Sequence, residues 1–224
     1  SFIVAAIATV FEFLIAIPLG ITAATHQYSF RDYLVTVLVL IGISLPSFFF
    51  GQLLKGIFAN TLGWFPPEGM FDAGITHANI FEWISDYAAH LFLPVLTVVI
   101  LSIGSRMRMT RTNMLEVLNS DYIRTARAKG LPENTVIYKH AFRNTLIPLV
   151  TSLAGLIPGL FSGAMITESV FKLSGIGQYA LEAMQMGDIP VIMTYNMFLA
   201  LLSVTGVLLS DLMYAVVDPR VKLA

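Results

Sequence analysis

Two acidic residues, Glu12 and Asp211, lie inside long apolar segments of the sequence. A charged side chain is costly in such a segment and is often functional there. A carboxylate at either position could relay a proton or another ion across a membrane, or it could hydrogen bond to a neighbouring helix. We favour the interhelical role for both residues and keep the pathway role open.

The other side chains offer little for catalysis or metal binding. The chain has no cysteine, which excludes disulfides, thiolate metal sites and cysteine nucleophiles. Neither a Ser/His pair nor a GxxxxGKS/T phosphate loop is visible in the sequence. The histidines are scattered and lack the HExxH spacing of a zinc site: His26, His77, His90 and His140. The sequence therefore predicts no catalytic residue, no metal and no cofactor bound by this chain.

The elements that must position these side chains are membrane helices. The chain has 224 residues, of which 56% are hydrophobic and 12% charged, a composition typical of membrane proteins. A helix needs about 20 apolar residues to cross the hydrocarbon core, and five segments are long enough. These segments are 2–24, 33–59, 91–109, 146–171 and 191–217. We expect an all-α, polytopic bundle forming one transmembrane domain over 1–224.

The distribution of basic residues predicts the orientation of these spans. Eight Lys and Arg residues lie at positions 106–143, and Arg31, Arg220 and Lys222 fall on the same side of the alternating spans. By the positive-inside rule these segments are cytoplasmic. The protein is then expected in a bacterial inner membrane, with residue 1 outside the cell membrane and residue 224 in the cytoplasm. Because multispan proteins usually begin in the cytoplasm, we expect a sixth span upstream of residue 1.

The cytoplasmic loop 110–145 has the pattern of a helix, a turn and a second helix. Asn119 or Ser120 can cap the first helix, and Asp121 adds negative charge to its first turn. Gly130 is suited to a left-handed C-terminal turn, and Pro132 suits the start of a helix over 133–142. Charge alone would make this only a solvated loop that sets topology.

Sequence order gives the loop a more specific interpretation. The run DYIRTARAKGLP followed by KHAFRNTLIP resembles the EAA loop of permease subunits of ABC importers of the peptide and nickel class. Further blocks that resemble these permeases are SLPSFFFGQLL with LGWFPPEG, MLEVLNSDYIRTARAKGLP, ESVFKLSGIGQ and DLMYAVVDPRVK. They follow one another in the family's order over most of the chain. The differences are mild and leave the substrate open: Asp121 replaces the usual Glu or Asn, and Lys172 begins a longer turn.

The resemblance implies a function and a set of partners. The chain would be one of two homologous permease subunits in the lipid bilayer, each resting on a cytoplasmic ATP-binding subunit that holds the ATP and Mg. An extracytoplasmic binding protein would deliver the substrate, a peptide or alternatively a nickel chelate or sugar, and no nucleic acid is involved. The residues implied in ATPase docking are Asp121, Tyr122, Ile123, Arg124, Thr125, Ala126, Lys129, Gly130 and Leu131. The alternative is an ion- or proton-coupled secondary transporter using Glu12 and Asp211.

The outer loops 60–90 and 172–190 hold acidic and aromatic side chains. An aromatic belt at the membrane interface explains them, and a surface for the binding protein is the functional alternative. The resemblance further implies a short re-entrant helix at ESVFKLSGIGQ.

Overall fold

The computed structural model of the protein describes residues 1–72, 79–151, 156–162 and 164–217. The regular elements of this part of the chain are all helical, which confirms the all-α prediction. Among these residues, three helices are long and apolar enough to cross a membrane: α1 (Phe2–Thr25), α4 (Ile80–Leu118) and the first 24 residues of α10 (Ile189–Val217). The predicted spans 2–24, 91–109 and 191–217 fall on them, although α4, with 39 residues, extends well into both flanking predicted loops.

The second predicted span, 33–59, is not one straight helix. Helix α2 (Phe30–Ser44) ends just before Pro46, and α3 (Ser47–Leu54) continues as a π-helical segment, Lys55–Thr61. The two parts are bent by 100° and count as a fourth span only if taken together. Proline explains the break, because it lacks an amide hydrogen and disfavours helical geometry in the residue before it.

The fourth predicted span, 146–171, is also interrupted. Its described parts are α6 (Arg143–Thr151), α7 (Leu156–Ser162) and α8 (Met165–Phe171), and positions 152–155 and 163 lie outside the described residues. Ala164, before α8, has φ −84° and ψ 72°, which is not helical. Within the described residues three helices, or four spans with the bent pair, are long and apolar enough to cross a membrane, and the predicted span 146–171 includes positions outside those residues.

Two shorter helices occupy predicted loops. Helix α5 (Asp121–Ala128) lies in the loop 110–145 and is followed by a π-helical segment, Thr135–Phe142. Helix α9 (Ile176–Met186) fills much of the loop 172–190. The motif ESVFKLSGIGQ thus forms the end of α8, a turn and the start of α9, and not one short helix.

The described residues group into two compact units. One unit contains Ser1–Phe11, Ser44–Leu101 and Pro158–Leu202, and the other contains Glu12–Ile43, Ser102–Ile157 and the chain from Ser203 onward. In the first unit α8 packs against α3 and α9. In the second unit two buried apolar clusters join α1 to α2, α4, α5 and the segment Thr135–Phe142. The single domain over 1–224 stays a prediction.

Candidate functional site

Helix α5 begins where the sequence predicts, with Ser120 in extended geometry at the N-cap position. The predicted side-chain cap is not formed, because the Ser120 hydroxyl donates a 2.6 Å hydrogen bond to the carbonyl of Val117 at the end of α4. Asp121 lies in the first turn, where its negative charge interacts favourably with the helix dipole. Thr125 donates back to the carbonyl of Asp121 at 2.9 Å. The hydroxyl groups therefore tie α5 to its own backbone and to the end of α4.

One side of α5 is anchored in the interior of its unit. Ile123 is fully buried and Ala126 is 8% exposed. Both belong to an apolar cluster whose other buried members are Ile21, Ala24, Met114, Val136 and Ala141. The spacing of three residues puts Ile123 and Ala126 on the same helix face. Apolar burial on this face therefore attaches α5 to α1, to α4 and to the segment Thr135–Phe142.

The rest of α5 and the turn after it are exposed. Tyr122 is 46% exposed and Leu131 is 37% exposed. Asp121, Arg124, Thr125, Lys129 and Gly130 are exposed as well. The ion pair of Arg124 with Asp121 spans 3.5 Å between side chains that are mostly solvated, so it adds little to stability. The exposed set offers an aromatic ring, an aliphatic side chain and two cations to a partner.

The turn after α5 depends on Gly130, as the sequence predicts. Its φ is +74°, in the left-handed region that favours glycine. The amide of Gly130 donates to the carbonyl of Arg127 at 2.9 Å, and the amide of Lys129 donates to the carbonyl of Thr125 at 3.1 Å. A Cβ on Gly130 would meet no atom within 4 Å, so the constraint there is the backbone angle and not space.

Arg127 and Glu133 clamp the two sides of this turn together. Nε of Arg127 donates to Oε2 of Glu133 at 3.2 Å, and Nη2 donates to Oε1 at 2.7 Å. These hydrogen bonds from Arg127 lower the pKa of Glu133, and the carboxylate in turn raises the pKa of Arg127. Sequence analysis did not single out this pair, although two opposite charges flanking a glycine turn are a usable signal.

The structure thus divides the nine predicted docking residues into two groups. Ile123 and Ala126 point into the protein's own core, where their side chains hold α5 in place. The seven others lie on the exposed side or in the turn. Contact with an ATPase stays a prediction for all nine.

Glu12, the first of the two predicted polar residues, is paired with a cation. Its Oε1 accepts a 3.0 Å hydrogen bond from Nε of Arg106, which joins α1 to α4. The guanidinium of Arg106 also lies 4.6 Å from the centre of the Phe13 ring, which is a cation–π distance. A carboxylate held in an ion pair between two helices fits the interhelical role.

Asp211 differs from Glu12, because its side chain is exposed on α10. Exposed carboxylates are costly when they face lipid, so this side chain must face water, headgroups or another protein when the chain is in a bilayer. Its role as a pathway or interhelical residue stays a prediction.

A second ion pair between helices was missed by sequence analysis. Arg111 of α4 donates through Nε and Nη2 to the two carboxylate oxygens of Asp32, both at 2.9 Å. Asp32 is at the start of α2 and is 4% exposed. Bidentate arginine–carboxylate pairs fix geometry as well as charge. The pair joins α2 to α4, and 79 residues separate its members, so no local spacing could reveal it.

A polar cluster links the two predicted outer loops. Glu68 forms 2.6 Å ion pairs with Lys55 and Lys172, and Lys55 also donates to the carbonyl of Val170 at 3.1 Å. Hydrogen bonds from Lys172 and Lys55 lower the pKa of Glu68. The amide of Gly69 adds a 2.9 Å bond to the carbonyl of Phe171. Lys55 and Lys172, which are 117 positions apart in the sequence, thus pair with one carboxylate.

Glu168 explains part of the motif ESVFKLSGIGQ. It is 1% exposed, and its Oε2 accepts a 3.0 Å hydrogen bond from the amide of Gln178 in the first turn of α9. A Cβ on Gly175 would collide with this carboxylate. Glycine at position 175 therefore allows Glu168 to cap α9 from α8, where its charge is favourable at the helix N-terminus.

Comparison with known proteins identifies the family. The family model described as "Binding-protein-dependent transport system inner membrane component" matches residues 16–223. The chain belongs to this family. The result confirms the resemblance drawn from the motif blocks, and it makes the chain a multi-pass membrane protein.

Several permeases are similar to this member of the family. The oligopeptide transport system permease protein AppB of Bacillus subtilis is 40% identical over 96% of this chain and 67% of its own length. The dipeptide transport system permease protein DppB of Alkalihalophilus pseudofirmus is 38% identical over 96% of this chain and 68% of its own. A putative peptide permease protein of Brucella ovis is 42% identical over 93% of this chain and 64% of its own. The chain thus spans about two thirds of the length of these relatives.

A solved structure shares the fold. A chain of the MetNI methionine ABC transporter, in an inward-facing conformation, superposes with a TM-score of 0.71 at 17% identity. The match covers 96% of this chain and 93% of the other. At this identity the similarity concerns the fold alone, and it agrees with the helical architecture described above.

Proposed function

We propose that this chain is the membrane-spanning permease subunit of an ATP-driven importer for peptides. In this role it forms half of a translocation pathway with a second permease subunit and rests on a cytoplasmic ATPase. An external binding protein delivers the peptide. The chain itself makes and breaks no bond, and ATP with Mg is bound by the ATPase subunits. Peptides are the proposed substrate because the similar permeases are named for oligopeptide, dipeptide and peptide transport.

The construction of α5 is the observation that carries the proposal. A short helix whose inner face is buried by Ile123 and Ala126, and whose outer face presents Tyr122, Thr125 and Lys129, is suited to enter a groove on a partner. It would fit an ATPase groove without unfolding, because Ile123 and Ala126 already pack against the protein's own core. We assign this surface to the cytoplasm, since α5 lies within positions 106–143, which carry eight basic residues.

The contacts of α5 also supply a mechanical path within its unit. The cluster that buries Ile123 includes Ile21 and Ala24 near the end of α1 and Met114 near the end of α4. Packed interiors transmit displacement because they are dense and resist compression. A movement of the ATPase that carries α5 therefore also moves the ends of α1 and α4. This coupling converts ATPase closure into a change in the membrane helices.

The alternative of an ion-coupled secondary transporter has less support. Glu12 is held in an ion pair with Arg106 that joins α1 to α4, and this geometry fits an interhelical role. We would return to this alternative only if the cross-linking and purification tests described below failed to show an ATPase partner.

Cysteine cross-linking tests the docking directly, since the chain has no native cysteine. Thr125→Cys places a thiol on the exposed face of α5, and Ala126→Cys places one on the buried face of the same helix. The full-length protein is expressed in its native membrane with cysteine-substituted ATPase subunits and treated with a short cross-linker. We expect a permease–ATPase product from Thr125→Cys and little from Ala126→Cys.

Purification in mild detergent completes the test. Recovery of a second permease and an ATPase with the tagged protein supports the proposed assembly. Recovery of the protein alone, with no cross-link from Thr125→Cys, would contradict it.

A further inference from the structure

His90 on α4 lies between two aspartates in a cluster that the transport function does not use. The ligand atoms that Asp72, Asp86 and His90 offer all lie within 4.8 Å of one another. The His90 side chain is 2% exposed, that of Asp86 is 13% exposed and that of Asp72 is 56% exposed. The cluster thus has a buried end at the imidazole and an end open to solvent at Asp72.

One nitrogen of His90 has a fixed role. Nδ1 lies 2.9 Å from the backbone carbonyl of Asp86, one turn earlier in α4, and 3.0 Å from Oδ1 of the same residue. A carbonyl oxygen can only accept a hydrogen bond, so Nδ1 must carry the hydrogen. In the neutral imidazole the other nitrogen, Nε2, then has a free lone pair.

That lone pair faces another acceptor. Nε2 lies 3.6 Å from Oδ1 of Asp72, and no hydrogen bond joins Nε2 to any of the described residues. An imidazole nitrogen with a lone pair and a carboxylate oxygen are both metal-ligand atoms, so a cation bound between them would interact favourably with each.

The distance does fit two ligands of one metal ion. Zinc binds imidazole nitrogen at about 2.0–2.1 Å and carboxylate oxygen at about 2.0–2.2 Å, which puts two tetrahedral ligands about 3.4 Å apart. Asp86 has the position of the carboxylate that orients a metal-binding histidine through its other nitrogen. Its Oδ2 also accepts a 3.0 Å hydrogen bond from the amide of Asp72, which holds the second ligand in place.

We propose that His90 Nε2 and Asp72 Oδ1 form a binding site for a divalent cation of the zinc class. Asp86 orients the imidazole, and water reaches the ion through the exposed side of Asp72. Imidazole and carboxylate together are ligands that suit zinc. The ion would fasten the segment before position 73 to the first turns of α4. The spacing of histidines along the sequence could not reveal the site, because its carboxylates come from residues 14 positions apart.

Zinc retention by the purified complex tests the site. The full-length protein with its partners is stripped with a chelator, dialysed against zinc and analysed for metal per chain. Asp72→Asn and His90→Gln each remove one ligand, and the exposed Asp72 can be changed with little risk to folding. His26→Gln is the matched control, because His26 is an exposed histidine in the other compact unit.

We expect one zinc per chain in the wild type and in His26→Gln, and at least tenfold weaker binding in Asp72→Asn and His90→Gln. Asp86→Asn should weaken binding by about 10–100-fold, as expected for a residue that orients a ligand. Zinc should also raise the thermal stability of the wild type but not of Asp72→Asn. Absence of zinc from the wild type, or equal retention in Asp72→Asn, would overturn the proposal whether or not the protein transports peptides.

Discussion

Arg127 and Glu133 are joined by two hydrogen bonds, of 3.2 and 2.7 Å, across the turn that contains Gly130. The pair therefore helps to fix the angle between α5 and the segment Thr135–Phe142 that follows the turn. Because the exposed face of α5 is the proposed docking surface, the turn and its clamp set how that surface is presented.

Gly130→Val should uncouple ATP hydrolysis from transport. A β-branched residue at φ +74° is strained, and the left-handed conformation costs L residues about 1–2 kcal/mol. We expect peptide uptake in whole cells to fall while the protein still assembles in the membrane. Gly130→Asn is the matched control, since asparagine tolerates this conformation and open space surrounds the position. If Gly130→Val supported as much peptide uptake as Gly130→Asn, the left-handed conformation at position 130 would not be needed for transport.

The clamp across the turn should weaken in acid. The pKa of Glu133 is lowered in the folded protein, so its contribution is present above the unfolded pKa, near 4.5, and is lost as the pH falls through the folded pKa. We expect pulsed hydrogen exchange to show slower exchange around Gly130 in the wild type than in Glu133→Gln at neutral pH. The difference should disappear well below pH 4.5. A difference independent of pH would assign the protection to packing and not to the ion pair.

Ile123 and Tyr122 are neighbours in sequence with opposite expected roles. Ile123→Ala opens a cavity in a buried cluster, and such changes cost about 2–5 kcal/mol of stability. Tyr122→Ala removes an exposed ring and should leave stability nearly unchanged. We expect thermal unfolding of the purified complex to shift for Ile123→Ala only.

ATPase measurements on the same two variants separate anchoring from docking. Tyr122→Ala should lower the ATPase activity that the permease supports in reconstituted membranes. Normal ATPase activity and transport in Tyr122→Ala would remove this ring from the docking surface.

Local signals explain which features the sequence predicted. Helix α5 has an acidic residue in its first turn and a glycine after its end, and both act within a few residues of the chain. The structure accordingly places α5 and the left-handed Gly130 where the sequence predicts. The inner and outer faces of α5 could not be predicted, because they depend on partners such as Ile21 that are distant in the sequence.

Long-range contacts explain most of what the sequence did not reveal. Asp32 and Arg111, and likewise Lys55 and Val170, meet only after the helices have packed. Hydropathy also cannot distinguish a straight span from one that is broken, so 33–59 was predicted as one span despite Pro46. The exact lengths of helices are the weakest part of such predictions, as α4 shows.

The ion pair of Glu12 with Arg106 distinguishes the two candidate transport mechanisms. If the pair only joins α1 to α4, Glu12→Gln should destabilise the protein by about 3–5 kcal/mol, because it removes one charge of a largely buried ion pair. The double variant Glu12→Leu with Arg106→Met removes both charges and should recover much of this loss. We expect peptide uptake by the double variant to exceed that of Glu12→Gln and to remain independent of the proton gradient. If Glu12 carried the proton, neither variant could transport peptide, because both lack the carboxylate. The recovered stability of the double variant would then not restore uptake.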